Sequence, residues 1–409
     1  MIKRTIKALS ALTLLFTLTC CEKEDYVNDE TPQTPRREWY EIVKTDTLTA
    51  AELTQGLAGY SIPIIRSSVA RVAFMYNSTD GTDSVRLSGT VTYPITRNNF
   101  NRLLLENHQF YVNDNEAPSQ SSTGGMIISA RSGSEGICIT PEYQGLGLTS
   151  HMRLPYFNAT LLARQSIDCF NAALTLITDL GIELVPNYFT YNFGFSLGGA
   201  VSAAIAREVE LDPELDRTMH IKKSICGGGP YDPNALLEHY SSIPDDSIAY
   251  PIVIICALEG ARDENPAMRE AYSDTILYSR KLRESGLFEA IQAKQSNTRQ
   301  LIRLIHESGC YTLREMVNPD LFDRESSLYR FLVEHNSRND LTVGWSPHKA
   351  MYVCHAGQDN CVPFACYQSL KSKMSGNPNI TWEVTRNEDH ANDGTYFYMR
   401  LILGMLSLE

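Results

Sequence analysis

The stretch Gly194-Phe195-Ser196-Leu197-Gly198-Gly199 constrains this chain more than any other, because of what lies on either side of it. Tyr188–Phe195 is a strand-like apolar and aromatic run, and Leu197–Glu210 has the small and apolar residues of a packed helix. Gly-x-Ser-x-Gly at a strand-to-helix junction makes a turn in which larger side chains would clash, and it lifts the serine hydroxyl above the sheet. The helix behind the turn offers its first amides at the same point, so the Leu197 N–H faces a developing oxyanion. The bland alternative is a glycine-rich turn that only packs.

The rest of the chain repeats this alternation. Val69–Asn77 and Ser84–Tyr93 flank a polar turn and read as a hairpin at one edge of a sheet. Leu103–Glu106, Gly136–Pro141, Ile221–Gly227, Lys349–His355 and Asn379–Val384 read as short buried strands, with helical segments such as Leu161–Leu180 between them. Interleaving of this kind predicts a mostly parallel central sheet with helices on both faces, an α/β fold built from residues 39–230 and 346–409. Between them the alternation stops. Residues 231–345 read as an inserted helical cap, with amphipathic helices at Ala267–Arg283, Leu287–Glu307 and Leu328–His335 and one strand-like run at Pro251–Leu258.

A serine hydroxyl is a poor nucleophile until a histidine held by a carboxylate removes its proton. In a sheet of this type the chain order is serine, acid, histidine. Lys349–His355 leads into a loop containing Asp359, and Asn379–Val384 leads into a loop containing His390. His335, His348 and His355 precede the acid, and no histidine follows His390. Glu388, Asp389 and Asp393 are rival acids in the histidine's own loop, and His355 sits where it could order the loop of Asp359.

With those residues in view the sequence resembles an α/β-hydrolase. The matching elements are Gly194-x-Ser196-x-Gly198, Asp359-x-x-Val362-Pro363 and His390, together with Pro141-Glu142-Tyr143-Gln144-Gly145-Leu146-Gly147, which is similar to the Asp-Tyr-x-Gly-x-Gly stretch of that superfamily. Gly227-Gly228-Gly229-Pro230 and the position of the cap resemble the secretory lipase group, although peptidase branches share the Asp-x-x-Val-Pro element. The resemblance implies the α/β-hydrolase fold, a serine ester hydrolase and no cofactor. It departs from the family after the third strand of the family's core: Asn107-His108-Gln109 stands where His-Gly is usual, so the second oxyanion donor is assigned to the loop near Gln109. His108 reads as a wall of the site rather than a metal ligand.

The remaining features bear on location and partners. A basic head (Lys3, Arg4, Lys7), the apolar run Ala8–Leu18 and the pair Cys20-Cys21 resemble a bacterial lipoprotein signal, residues 1–20, with Cys21 (or Cys20) lipidated. Residues 21–38 read as a polar tether. These features predict an exported lipoprotein of the cell envelope, held on the outer membrane by its lipid, and Glu22-Lys23-Glu24-Asp25 resembles the surface-export signals of some lipoproteins. The 36 basic and 48 acidic residues give a net charge of −12, which excludes a nucleic-acid partner. No metal site is read, since neither the histidines nor the cysteines have zinc spacing. Of eight further cysteines, Cys138, Cys226 and Cys256 lie in apolar runs, and a bridge among Cys354, Cys361 and Cys366 is conceivable. A cap rich in Arg, Glu and Asp points to a small-molecule or glycan-linked acyl ester rather than a fat droplet. A serine peptidase of aminopeptidase or acyl-peptidase type is the second reading. The third is a catalytically dead glycan- or peptide-binding surface lipoprotein.

Overall fold

The computed structural model describes residues 37–56, 65, 67–121, 125, 136–385 and 388–402. The leader, Cys20, Cys21 and the tether up to residue 36 lie outside the described residues. The two tether residues that are described lie against the fold: Arg37 pairs with Asp179 at 2.9 Å, and the Glu38 amide donates to Thr175 Oγ1.

Nine strands form one sheet: β1 (Tyr40–Leu48), β2 (Val69–Thr79), β3 (Ser84–Pro94), β4 (Asn99–Asn107), β5 (Gly136–Glu142), β6 (Glu183–Phe195), β7 (Ile221–Gly227), β8 (Ala350–Ala356) and β9 (Ile380–Thr385). Their order is β1-β2-β3-β5-β4-β6-β7-β8-β9, antiparallel from β1 to β5 and parallel from β5 to β9. The expected hairpin, β2–β3, is therefore not the edge. β1 pairs outside it, a strand too polar on its exposed positions to stand out in the sequence.

The period of two along the strands divides the core. Leu103 and Leu105 of β4 pack with helices α1 (Ala159–Asp179) and α2 (Leu197–Leu211) on one face. Leu104 between them packs with Phe397 and Leu401 of the last helix on the other. Chain order reverses at β4, which has β5 on one side and β6 on the other. Ligands of open α/β sheets bind outside the carboxyl ends of strands at such a switch point, and Ser196 follows directly on β6.

The insertion forms its own apolar cluster, built on α3 (Pro233–Ser242), α4 (Pro251–Glu264), α5 (Leu287–Ala293), α6 (Thr298–Glu307) and α7 (Ser327–Arg338). Pro251–Leu258, expected as a strand, is the start of α4. A short apolar run cannot be told from a buried helix by its pattern, and here its surroundings are helical, with Pro251 in the first turn. Leu287–Glu307, expected as one helix, breaks at Lys294, whose backbone is left-handed (φ 50°), and restarts at the Asn297 capping box. Ala267–Arg283 is likewise three short helical pieces. The Lys294 break has a reason: its buried ammonium donates to the carbonyls of Gly145, Ser150 and Met152, while its own carbonyl takes the Asp114 amide. A straight helix could not reach this cradle in the core.

Candidate active site

The turn after β6 holds Ser196 at φ 58°, ψ −126°, a strained backbone for a non-glycine residue. Its amide donates to Gly227 O of β7 at 2.8 Å, which keeps the turn against the sheet. Glycine is required at 198 because a Cβ there would lie 2.0 Å from Asn107 O and 2.8 Å from His108 O. The chain leaving β4 therefore runs directly against the turn that carries Ser196.

The structure brings the three residues read from the sequence into one line. His390, at the start of α8 (His390–Ile402), has Nε2 2.9 Å from Ser196 Oγ and Nδ1 2.6 Å from Asp359 Oδ2. Asp359 follows β8 and its side chain is fully buried. Burial raises its proton affinity. The hydrogen bond and charge of His390, the charge of His355 and the amide of Cys361 outweigh burial and hold the carboxyl below the ordinary carboxylate range. An ionised Asp359 takes the Nδ1–H, which leaves Nε2 free to accept the serine proton.

Several groups hold the acid in place. Asp359 Oδ1 accepts the amides of Cys361 (2.8 Å) and Val362 (2.7 Å). His355 Nε2 donates to Val362 O at 2.9 Å, and burial lowers its pKa against the pull of the Asp359 charge. Tyr240 of α3 donates its hydroxyl to Cys361 O at 2.7 Å, so a cap helix braces the turn. The rival residues lie elsewhere. Asp393 accepts from Thr385 Oγ1, Asp389 accepts the Asn392 amide, His348 pairs with Glu210, and His335 sits 3.5 Å from Glu264. No hydrogen bond joins Glu388 to His390.

Leu197 N–H is the first amide of α2 and has no intrahelical acceptor. Gln109 lies two residues past β4, and its carbonyl accepts from His108 Nδ1 at 2.7 Å. His108 Nε2 accepts the Tyr143 amide at 3.4 Å, so the ring is neutral with its proton on Nδ1. Burial pushes its pKa down to about 4. It stacks on Tyr111 and lies 3.8 Å from the Tyr143 ring, a buried wall behind the loop. Glu106, just before this loop, is pushed up to about 7 by burial, which outweighs the opposing hydrogen bonds from Thr140 and Cys138. Among the described residues no group of three His, Cys, Asp or Glu is placed to hold a metal. The eight described cysteines are all buried and unpaired.

An apolar pocket, partly open to solvent, lies between α2 and the cap, walled by Leu197, Ala200, Leu237, Tyr240, Val253 and Leu332. Tyr250, the residue before α4, turns its ring edge-on to His390 with centroids 6.1 Å apart. No local pattern marks Tyr240, Tyr250 or the pocket, because their positions depend on how the cap helices pack.

The sheet and the helices around it superpose on those of known structures over most of the chain. The chain has the α/β-hydrolase fold. The rice cell wall degrading esterase LipA from Xanthomonas oryzae superposes with a TM-score of 0.69 at 16% identity, over 90% of this chain and 97% of that one. A Legionella pneumophila protein gives 0.70 at 15%, over 88% and 96%. Candida antarctica lipase A gives 0.58 at 13%, over 89% and 82%. No protein-family model and no curated protein matches the sequence. At these identities the likeness is one of fold, and the α/β-hydrolase fold itself carries many chemistries.

Proposed function

We propose that the protein is a serine esterase that cleaves a carboxylic ester through an acyl-enzyme. The observation that carries this reading is His390, bonded at once to Ser196 Oγ (2.9 Å) and to Asp359 (2.6 Å). Ser196 Oγ attacks the acyl carbonyl while His390 Nε2 takes its proton, and Asp359 steadies the imidazolium. The amides of Leu197 and of the Gln109 loop receive the oxyanion, each worth roughly 3–4 kcal/mol. The tetrahedral intermediate collapses, the C–O bond of the ester breaks, and His390 protonates the departing alkoxide. A water then repeats the sequence and frees the acid and Ser196.

The apolar pocket beside Leu197 is where we place the acyl group, since apolar side chains of α2 and the cap line it next to the residue that follows Ser196. The outer cap is laced with ion pairs such as Arg262–Asp274, Arg314–Asp245 and Arg324–Glu238, which supports a soluble short-chain, glycan or lipid ester rather than a fat surface. Among the described residues no helix is long and apolar enough to cross a membrane, and we place the protein on the envelope through lipid at Cys21 or Cys20.

The test is turnover of 4-nitrophenyl esters from acetate to palmitate, with Ser196→Ala beside the wild type. Hydrolysis lost in the variant supports the esterase. Equal hydrolysis by both, or none by either, overturns it, and matched amide substrates then test the peptidase reading.

A further inference from the structure

Among the described residues four besides glycine have a positive φ, and three of them are accounted for. Ser196 carries the nucleophile, Lys294 reaches its cradle, and His220 ends a short helix with its amide on Asp216 O. The fourth is Phe157 at φ 61°, a conformation that a bulky side chain keeps only when its surroundings impose it. Two contacts with α4 impose it here. Asn158 caps α1 by accepting the Leu161 amide at 2.9 Å, and its Nδ2 donates to Glu264 Oε1 at the end of α4 at 2.7 Å. A Cβ at Gly260 of α4 would lie 2.5 Å from Tyr156 O, so that helix lies directly on the turn.

What this clamp holds is a ring in the wall of the apolar pocket. Two aromatic rings line that pocket, Phe157 and Tyr240, and the rest of its apolar lining is aliphatic. Tyr240 is tied by its hydroxyl to Cys361 O in the turn of Asp359. Phe157 instead stacks on Phe110, with centroids 5.8 Å apart and an angle of 24° between the planes. Phe110 follows Gln109 directly, and both rings pack on the sheet-side core and on the cap core. The Phe157 ring therefore stands where the pocket meets the oxyanion loop. Leu197, whose amide is the other oxyanion donor, lines the same pocket. An acyl carbonyl held between these donors brings its first carbons, rather than its tail, against this wall.

We propose that Phe157 is a specificity-determining residue for the acyl half of the substrate, its fixed ring admitting a straight acyl chain and rejecting one branched at the carbon next to the carbonyl. A flat ring leaves room for a chain of methylenes but must move aside to clear a quaternary carbon. The clamp on the turn resists that movement, since Asn158 and Tyr156 on either side of Phe157 are both held against α4. The favoured substrate class is then an ester of an unbranched acid. The inference rests on the esterase reading and on the place of the acyl group in this pocket.

The test compares 4-nitrophenyl butyrate with 4-nitrophenyl trimethylacetate, each rate divided by that ester's alkaline hydrolysis rate so that intrinsic reactivity cancels. Values of kcat/KM, scaled to the fraction of molecules that a fluorophosphonate labels, are measured for wild type, Phe157→Ala and Phe157→Gly. The corrected ratio is expected to favour butyrate by at least about tenfold in the wild type. It falls toward one in both variants, through a gain on trimethylacetate. A merely structural role would slow both esters alike and leave the ratio where it was. A wild-type ratio near one, or a ratio unchanged in the two variants, overturns the assignment while leaving the esterase intact. Hydrolysis of neither ester by the wild type sinks the esterase reading and this inference with it. Thermal unfolding tests the clamp separately. Glycine accepts a positive φ and alanine does not, so Phe157→Gly should melt above Phe157→Ala; the reverse order would remove the strain on which the fixed ring depends, and the proposal with it.

Discussion

Gly198→Ala tests how the turn carrying Ser196 is coupled to the loop opposite. The added Cβ would lie 2.0 Å from Asn107 O, where ordinary contact begins near 3.4 Å, so the two backbones must part by about 1.4 Å. Neither can yield alone. Asn107 is paired in register with Gly194 across β4 and β6, and Ser196 is held by its amide to Gly227 O. The separation therefore falls on the serine and the Gln109 loop, the two parts that must meet at the oxyanion. A misplacement of about 1 Å costs on the order of 10²-fold in rate, and overpacking adds roughly 1–3 kcal/mol of lost stability. The assay is kcat on 4-nitrophenyl butyrate, scaled to the fraction of molecules that a fluorophosphonate labels, with thermal unfolding beside it. A folded Gly198→Ala with wild-type kcat would refute the coupling.

Three further outcomes are expected. Asp359→Asn leaves Nδ1 of His390 facing an amide that no longer enforces the required tautomer, and kcat on the same ester falls by about 10⁴ with little change in KM; a drop under tenfold would show that another carboxylate serves. Glu106 binds its proton more tightly folded (about 7) than at its ordinary 4.5, so the unfolded chain sheds protons first and stability declines as pH rises through that window, by about 3 kcal/mol. Urea unfolding of Glu106→Gln should match the wild type at pH 5 and exceed it at pH 8, and parallel curves would contradict the assignment. Lys294→Met leaves the buried carbonyls of Gly145, Ser150 and Met152 without their donor, at a cost of about 2–4 kcal/mol; hydrogen exchange should rise first in the Gly145–Met152 loop and the turn between α5 and α6, and unchanged exchange there would rule out the latch.

The parallel half of the sheet was legible because each strand is a short apolar run bounded by turn residues, and Ser196, Asp359 and His390 because each stands at the carboxyl end of such a run. β1 was not, since its outward positions are polar and its pairing is decided by β2. In the cap, Pro251–Leu258 carries β-branched residues that suit either a strand or a buried helix, and the helical neighbours decide. Lys294 looks like any surface lysine until three carbonyls of a distant loop close around it. Tyr240 and Tyr250 reach the site only through the packing of α3 and α4, which leaves no local mark.

The most direct test of the central claim is where an acylating or phosphorylating reagent lands. Diethyl 4-nitrophenyl phosphate is added to the wild-type protein, and intact mass, peptide mapping and ester hydrolysis are followed together. The account predicts one diethylphosphoryl group per chain, on Ser196, with ester turnover lost in proportion to its incorporation. Turnover that survives full modification of Ser196, or a modified residue elsewhere that carries the loss, would contradict it.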